Sequence, residues 1–165
     1  MELYLMQHGQ AVPESENPEK PLSREGVAQI QASAAGMRKL GISLDTLIHS
    51  PKKRAKQTAA LIAEALNYPH SDLIETDLVK PTAPVDETLR FLKQFHASRA
   101  VMIAGHLPSL GEIASALLTD GSRVHIHFEN GGLCRLDVVC LPTCEGELRY
   151  CLTPVQLKML AGKFR

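Results

Sequence analysis

The stretch Leu3-Tyr4-Leu5-Met6-Gln7-His8-Gly9 joins a short apolar run to an abrupt polar end. Its apolar part is long enough for one buried strand, and Gly9 permits a sharp turn because glycine has no Cβ. We therefore expect His8 at the carboxyl end of a buried strand, where open α/β sheets bind their ligands. Taken alone, the segment fits a core strand ending in a surface histidine better than a site, so its meaning depends on the rest of the chain.

Two later apolar runs also end in polar residues. Leu44–His49 is followed at once by Ser50-Pro51, and Ala100–Ala104 is followed by Gly105-His106-Leu107-Pro108. Serine at the N-cap and proline at the first helical position predict that a helix begins at Pro51, and Pro108 suits the same position in a later helix. Arg54 then falls in the first helical turn and stays close to the end of the preceding strand.

Helical periodicity alternates with these strands. The first helix has Ser23 as its predicted N-cap, and a final helix opens at Thr153-Pro154. The apolar face of the final helix comprises Leu157, Leu160, Ala161 and Phe164. The pattern predicts one three-layer α/β/α domain over the whole chain, with a mainly parallel central sheet. Because parallel strands end at one edge of a sheet, we expect His8, Arg54 and His106 to converge there.

The last third of the chain alternates between apolar and polar residues instead. The alternation predicts antiparallel strands at Val124–Phe128, 134–140 and 148–152, with Pro142–Gly146 as a hairpin connection. His125 and His127 have the spacing of a metal-binding pair, but no third ligand candidate lies near them in the sequence. We therefore interpret them as a half-exposed strand face, and we predict no metal and no cofactor.

Composition limits the classes of partner. The chain has 18 basic and 18 acidic residues, which leaves no general attraction to nucleic acid or to an anionic membrane. The sequence has no apolar run of membrane-spanning length and no signal peptide. Four cysteines include no Cys-x-x-Cys pair, so we interpret them as small buried strand residues of a reduced, cytoplasmic protein. They are Cys134, Cys140, Cys144 and Cys151.

Two histidines and an arginine at neighbouring strand ends suit phosphoryl transfer. A neutral imidazole can attack phosphorus, and the transferring group carries charge on three equatorial oxygens that need fixed donors. Arginine supplies a planar fork of such donors, and helix N-termini add backbone N–H groups. This chemistry needs no metal ion, and we find no cluster of carboxylates in the sequence that would hold one.

Four motifs resemble those of the histidine phosphatase superfamily, which has the phosphoglycerate mutase-like fold, and in particular its small SixA-type phosphohistidine phosphatases. Met6-Gln7-His8-Gly9 stands where the family has Arg-His-Gly, and Pro21-Leu22-Ser23-Arg24-Glu25-Gly26 is similar to its Pro-Leu-Thr-x-x-Gly. The most specific of the four matches is Ser50-Pro51-x-x-Arg54-Ala55-x-Gln57-Thr58, which is similar to the family's Ser-Pro-x-x-Arg-Ala-x-Gln-Thr. Gly105-His106-Leu107-Pro108 is similar to the second histidine motif in its SixA form.

The resemblance implies a role for each matching residue. His8 would be the nucleophile, Arg54 a phosphate clamp, and His106 a second phosphate-binding histidine, either cationic or hydrogen-bonded to the phosphoryl oxygens. The Leu107 N–H would be a further donor, and Lys20 a weaker candidate for substrate contact. The implied partner is a phosphohistidine-bearing protein or a small phosphorylated substrate, and the implied setting is signal transduction.

Gln7 departs from the family pattern, which has arginine at this position of the phosphate pocket. Glutamine offers two N–H donors but no charge, and loss of a charged clamp commonly costs a few kcal/mol of transition-state stabilisation. Catalysis could therefore be weak, Lys20 or Arg24 could compensate, or the protein could bind a phosphoryl group without turning it over. An introduced substitution is a further alternative.

The general acid is not marked by any motif. Glu75, Asp77 and Asp86 lie in the region where larger family members carry a carboxylate. A phosphohistidine substrate would relax the need for an acid, because its imidazole leaving group accepts a proton near neutral pH, whereas an alkyl phosphate would need it. We therefore predict a metal-independent phosphohistidine phosphatase. The alternatives are a phosphohistidine-binding module with little or no activity and a phosphatase of small metabolites.

Overall fold

A central six-stranded sheet organises the protein, and the computed structural model describes residues 1–162. The strands are β1 (Glu2–Gln7), β2 (Thr46–His49), β3 (Ile74–Glu75), β4 (Ala100–Gly105), β5 (Leu133–Asp137) and β6 (Glu147–Leu152). The helices are α1 (Arg24–Lys39), α2 (Lys53–Leu66), α3 (Val85–Leu92), α4 (Ser109–Leu118) and α5 (Pro154–Ala161). The strand order is β3-β2-β4-β1-β5-β6.

The β1 strand lies near the middle of this sheet and pairs in parallel with β4 and antiparallel with β5. Its apolar run is covered on both faces. Leu3 and Leu5 pack into a cluster that includes residues of α3 and α4, whereas Tyr4 and Met6 pack into a second cluster with residues of α1, α2 and α5. A strand buried on both faces needs such a continuous apolar run. The predicted three-layer α/β/α class, with a mainly parallel sheet and an antiparallel C-terminal part, is confirmed.

The helix starts only partly follow the sequence prediction. Ser23 caps α1 as predicted, and its Oγ accepts a hydrogen bond from the Gly26 N–H at 3.0 Å. The prediction that α2 begins at Pro51 is wrong, because the chain first bends and the helix begins at Lys53. In that bend, the buried Ser50 accepts a hydrogen bond from the Lys52 N–H at 3.3 Å. Similarly, Pro108 is the residue before α4 rather than its first residue.

Val124–Phe128 is not a strand, so that prediction is wrong. Within the segment, Phe128 packs into the core and Ile126 is half-buried, whereas Val124, His125 and His127 are exposed. However, its backbone joins no ladder among residues 1–162, and the Val124 N–H instead donates to the Ser115 side chain at 2.9 Å. The alternation of apolar and polar residues therefore did not predict whether this segment pairs with another strand.

The cysteine interpretation holds only for Cys134, which is buried on β5. Cys140 and Cys144 are exposed in the connection between β5 and β6, the segment that contains the predicted hairpin connection Pro142–Gly146. Cys151 is exposed because it lies on β6, an edge strand of the described sheet.

The final helix follows its prediction within the described residues. Thr153 accepts a hydrogen bond from the Gln156 N–H, the Gln156 side chain accepts one from the Thr153 N–H, and the two form a capping box. Leu157 is fully buried, with Leu160 and Ala161 half-buried beside it. Phe164, which was predicted on the same face, lies outside the described residues.

Candidate active site

The candidate site begins where β1 leaves the sheet. The His8 N–H donates to the Gly105 carbonyl at 3.1 Å, so His8 remains attached to the end of β4. The Gly9 N–H donates to the Thr58 side chain at 3.2 Å. A Cβ on Gly9 would lie 2.7 Å from the Ile30 side chain and 2.9 Å from the Gly26 carbonyl, so only glycine allows this close turn against α1.

Two hydrogen bonds fix the imidazole of His8. Its Nδ1 lies 2.7 Å from the Gly9 carbonyl oxygen, which can only accept, so Nδ1 carries the proton. Its Nε2 accepts a hydrogen bond from Arg54 Nε at 2.9 Å. Burial lowers the pKa of His8 to about 4, with a further contribution from the positive charges of Arg54 and Lys20. The ring is therefore neutral near pH 7, with the Nε2 lone pair on the Arg54 side.

Arg54 is the second residue of α2. Thr58, one turn later, donates its hydroxyl to the Arg54 carbonyl at 2.8 Å while accepting the Gly9 N–H, so one buried side chain connects the two active segments. Burial lowers the pKa of Arg54, and the negative charge of Glu14 opposes this shift.

His106 follows β4 and packs edge-on against His8, with their ring centroids 4.9 Å apart. It is 2% exposed, and neither ring nitrogen has a hydrogen-bond partner among residues 1–162. Burial lowers the pKa of His106 to about 3, with His8, Arg54 and Lys52 adding to the shift. Of the two alternatives that the resemblance implies for His106, a cation or a ring hydrogen-bonded to the phosphoryl oxygens, this environment disfavours the cation. The hydroxyl of the buried Ser109 also has no partner in the described chain, and such groups typically cost about 1–3 kcal/mol each unless a ligand or water satisfies them.

The loop before α1 brings Lys20 near the histidine. The Leu22 N–H donates to the Gln57 side chain at 2.7 Å, and an ion pair joins Glu19 to Lys53, so α2 holds both ends of this segment. Lys20 has a left-handed backbone, φ 49°, and its ammonium lies 3.5 Å from the Glu14 carboxylate. The Gln57 contact with this loop, and the Thr58 contacts with Gly9 and Arg54, give the glutamine and the threonine of the motif a structural role.

Gln7 and Leu107, the remaining predicted site residues, flank the two histidines. Gln7 is half-buried at the end of β1, where its carbonyl accepts the Gly131 N–H at 2.9 Å. Leu107 follows His106 directly, and its side chain is 39% exposed. The Leu107 N–H makes no hydrogen bond to the described residues. All the sequence-predicted residues of the site therefore lie at the carboxyl edge of the parallel strands or on the loop beside it.

Sequence reasoning missed Asn130. Its side-chain Nδ2 donates to the His8 carbonyl at 2.8 Å and lies 3.5 Å from His8 Nδ1. The only local signal in the sequence is Asn-Gly-Gly at 130–132, which indicates a turn and gives no hint of a partner 122 positions away. Sequence reasoning also missed Ser109 and the electrostatic influence of Glu14.

The candidate general acids are occupied elsewhere. Glu75 pairs with Lys56 at 3.1 Å, Asp77 with Lys80 at 2.7 Å and Asp86 with Arg90 at 2.6 Å. None of these three carboxylates is hydrogen-bonded to His8, Arg54 or His106. Each is also largely exposed, as expected for surface ion pairs.

Residues 1–162 contain neither a cluster of metal-ligating side chains nor a membrane-spanning helix. In residues 1–162, no cluster of three or more histidine, cysteine or acidic side chains has the arrangement to hold a metal ion. His127 has Glu129 at 3.9 Å and is 83% exposed at its side chain. No helix in this part of the chain combines the length and the apolar character needed to cross a bilayer.

Comparisons with known proteins agree with the fold described above. The family model described as "Histidine phosphatase superfamily (branch 1)" matches residues 3–90. The phosphohistidine phosphatase SixA of Escherichia coli K12 is 24% identical over 120 residues, which cover 71% of this chain and 74% of SixA. The structure of the histidine phosphatase SixA with tungstate has a TM-score of 0.83 at 20% identity and covers 96% of this chain and 100% of that one. The structure of the α-ribazole phosphatase of Shigella flexneri has a TM-score of 0.75 at 16% identity and covers 93% of this chain and 97% of that one.

Proposed function

Because the chain belongs to the histidine phosphatase superfamily, we propose that it is a phosphatase of protein phosphohistidine that acts through a covalent phosphoryl group on His8. The observation that carries the proposal is the orientation of His8. Gly9 holds the proton on Nδ1, and the Nε2 lone pair lies 2.9 Å from the Arg54 guanidinium. A nucleophile and a cationic clamp are thus in contact before substrate arrives.

In the first step, His8 Nε2 attacks phosphorus while the bond from phosphorus to the substrate imidazole nitrogen breaks. Arg54 releases its hydrogen bond to Nε2 and donates to a phosphoryl oxygen, and the N–H of the neutral His106 ring can donate a second hydrogen bond. The departing imidazole takes a proton from solvent. Since Nδ1 of His8 keeps its proton, the phosphorylated ring is an imidazolium that the Gly9 carbonyl stabilises.

In the second step, water attacks the phosphorus and the bond to His8 Nε2 breaks. The electron pair of that bond returns to Nε2, which restores the neutral ring, and the water proton passes to the phosphate or to solvent. Because the phosphorylated ring is an imidazolium, it departs as neutral imidazole, so this step also needs little acid catalysis. Arg54 and His106 would hold the phosphoryl oxygens in both steps.

The choice of phosphohistidine over an alkyl phosphate follows from the leaving group. An alkoxide must be protonated as it departs, and Glu75, Asp77 and Asp86 are each paired with a neighbouring cation instead of the site. An imidazole needs no such donor. The partner that fits is therefore a phosphohistidine-bearing protein, and Lys20, whose positive charge contributes to the lowered pKa of His8, would contact it.

Gln7 favours a second candidate function, a module that binds phosphohistidine with little turnover. Its carboxamide can donate to a phosphoryl oxygen, but it does not neutralise the charge that spreads onto these oxygens during transfer. Binding would survive this loss better than catalysis would, because the developing charge is a property of the transition state.

A protein carrying 32P on histidine tests the proposal. We expect release of phosphate that is unaffected by chelator, together with an acid-labile, base-stable label on the enzyme after rapid quenching. His8→Ala should remove both, while the matched control His96→Ala, an exposed histidine, should retain both. Binding without release would favour the module, and faster hydrolysis of an alkyl phosphate would favour a small-metabolite phosphatase.

A further inference from the structure

Asn130 touches both the main chain and the ring of the proposed nucleophile. Its Nδ2 donates to the His8 carbonyl at 2.8 Å and lies 3.5 Å from Nδ1 of the His8 ring. The carbonyl can only accept, so the amide must turn its NH2 group, and not its oxygen, toward His8. The Nδ1 side of the ring thus faces one acceptor, the Gly9 carbonyl, and one amide donor.

The segment that carries Asn130 is held in place from two directions. The Gly131 N–H donates to the Gln7 carbonyl at 2.9 Å, which continues the pairing of β1 and β5 to the residue before His8. The Ser33 hydroxyl of α1 donates to the Gly131 carbonyl at 2.8 Å in a buried contact. Gly131 itself has φ 72°, a conformation that favours glycine. Asn130 is consequently presented to His8 by a fixed turn.

This arrangement has a chemical consequence for the ring. Attack on phosphorus requires an unprotonated Nε2, and a second proton on the imidazole would remove that lone pair. An amide donor beside Nδ1 offers no acceptor for an imidazolium, whereas a carboxylate at the same place would stabilise one. The other charged or titratable groups around His8 are Arg54, Lys20 and His106, and none of these is an anion.

We propose that Asn130 is a positioning residue for His8, which fixes its main chain and keeps the ring in the unprotonated-Nε2 state that attacks phosphorus. The inference rests on the proposed function, since it assigns Asn130 to the same nucleophilic step. Asn130 does not touch the reacting atoms, so its effect should appear in the rate of the chemical step and in the titration of His8, and not in substrate binding.

Asn130→Asp is the sharpest test, because it keeps the shape of the side chain and replaces the donor with an anionic acceptor. We expect the His8 ring, followed by NMR in the resting protein, to titrate at least one pH unit higher than in the unmodified protein. In the pH profile of phosphoenzyme formation from a phosphohistidine protein, we expect the acidic limb to move to higher pH by the same shift, with KM at neutral pH changed less than twofold.

Ser33→Ala is the matched control. It removes a buried hydrogen bond that holds the same turn but leaves the Asn130 amide beside His8, so it should lower stability without moving the His8 titration. An unchanged His8 titration in Asn130→Asp would overturn the proposal, as would an equal shift in Ser33→Ala. The titration is read without substrate, so it tests Asn130 even if the protein does not hydrolyse phosphohistidine.

Discussion

The two edges of the sheet differ in whether their charged and polar groups are paired with one another. At the amino end of β1, Arg135 donates to Glu2 at 2.8 Å and to Asp137 at 2.9 Å. The Tyr4 hydroxyl also donates to Glu2, at 2.6 Å. Each charge there has an opposite charge in contact, and the carboxylates raise the pKa of Arg135. This edge is a closed network that stabilises the fold.

At the carboxyl end of the same strand, a guanidinium and several buried polar groups have no anionic or hydrogen-bonding partner of this kind in the described part of the chain. Arg54 is hydrogen-bonded to a neutral ring, and the nitrogens of His106 and the hydroxyl of Ser109 have no partner in residues 1–162. Buried polar groups are normally satisfied, so an unsatisfied set beside a guanidinium indicates a site that an anion completes. One edge of the sheet is stabilised by its own pairs, and the other is prepared for a ligand.

The largest effect we expect comes from His8→Ala, which removes the atom that would carry the phosphoryl group. Turnover of a phosphohistidine protein should fall to background, and no phosphoenzyme should form. Rapid-quench labelling measures both quantities. Persistent labelling in this variant would show that another residue is the nucleophile. It would then contradict the role assigned to His8 at the carboxyl edge.

Replacing arginine by lysine on each edge in turn gives the next largest effect. Arg54→Lys should lower turnover by about a hundredfold, because a point charge cannot reproduce the planar fork on a phosphoryl group. Arg135→Lys should leave turnover within about twofold and lower the free energy of unfolding by about 1 kcal/mol. Equal losses of turnover in the two variants would contradict the assignment of different roles to the two edges.

Gln7→Arg should act in the opposite direction. If the missing guanidinium is the main defect, turnover should rise about tenfold or more, since about 1.4 kcal/mol of transition-state stabilisation is a factor of ten. Single-turnover kinetics should assign the gain to the chemical step rather than to binding. If turnover is unchanged while Lys20→Ala or Arg24→Ala abolishes it, another cation already supplies the clamp.

The last prediction concerns how the free energy of unfolding depends on pH and does not involve turnover. The pKa values of His8 and His106 are lowered to about 4 and about 3 in the folded protein, below the ordinary value of about 6.5. Between pH 6.5 and 4 the unfolded chain therefore binds more protons than the folded protein does. The free energy of unfolding is consequently highest above pH 6.5 and falls as the pH drops below it. Each histidine contributes a slope approaching about 1.4 kcal/mol per pH unit.

Denaturant titrations between pH 5 and 7.5 measure this slope. His106→Gln should flatten it, because a glutamine side chain does not titrate, whereas Arg135→Lys at the amino edge should leave it unchanged. If the slope is the same in His106→Gln as in the unmodified protein, the burial of His106 is not the source of the pH dependence.

The sequence predicts well where a signal is local. The apolar runs of β1 and β4 read directly as strands buried on both faces, and the spacing from Ser50 to Thr58 places Arg54 beside the end of β2. It predicts poorly where the cause lies elsewhere in the chain. Val124–Phe128 alternates like a strand, but whether a strand partner exists depends on the path of α4 and its Ser115.

The contact between Asn130 and His8 also lies beyond local reasoning. An Asn-Gly-Gly sequence predicts a turn but not which residue the asparagine side chain contacts. Here the contact depends on the register between β1 and β5. Likewise, the neutral state of His106 follows from burial and from three neighbouring groups, which no spacing in the sequence encodes. The residue types of the site could be predicted, but not its electrostatics.

The position of β1 between β4 and β5 also sets an order in time. Glu2 pairs with Ala100 on one side and with Asp137 on the other, so β1 is synthesised about a hundred residues before its partners. At about 5–20 residues per second, this strand waits on the order of 5–20 s on the ribosome before it can be completed. A nascent chain therefore carries His8 long before it carries a site, because the partners of β1 are complete only once residue 137 has been synthesised.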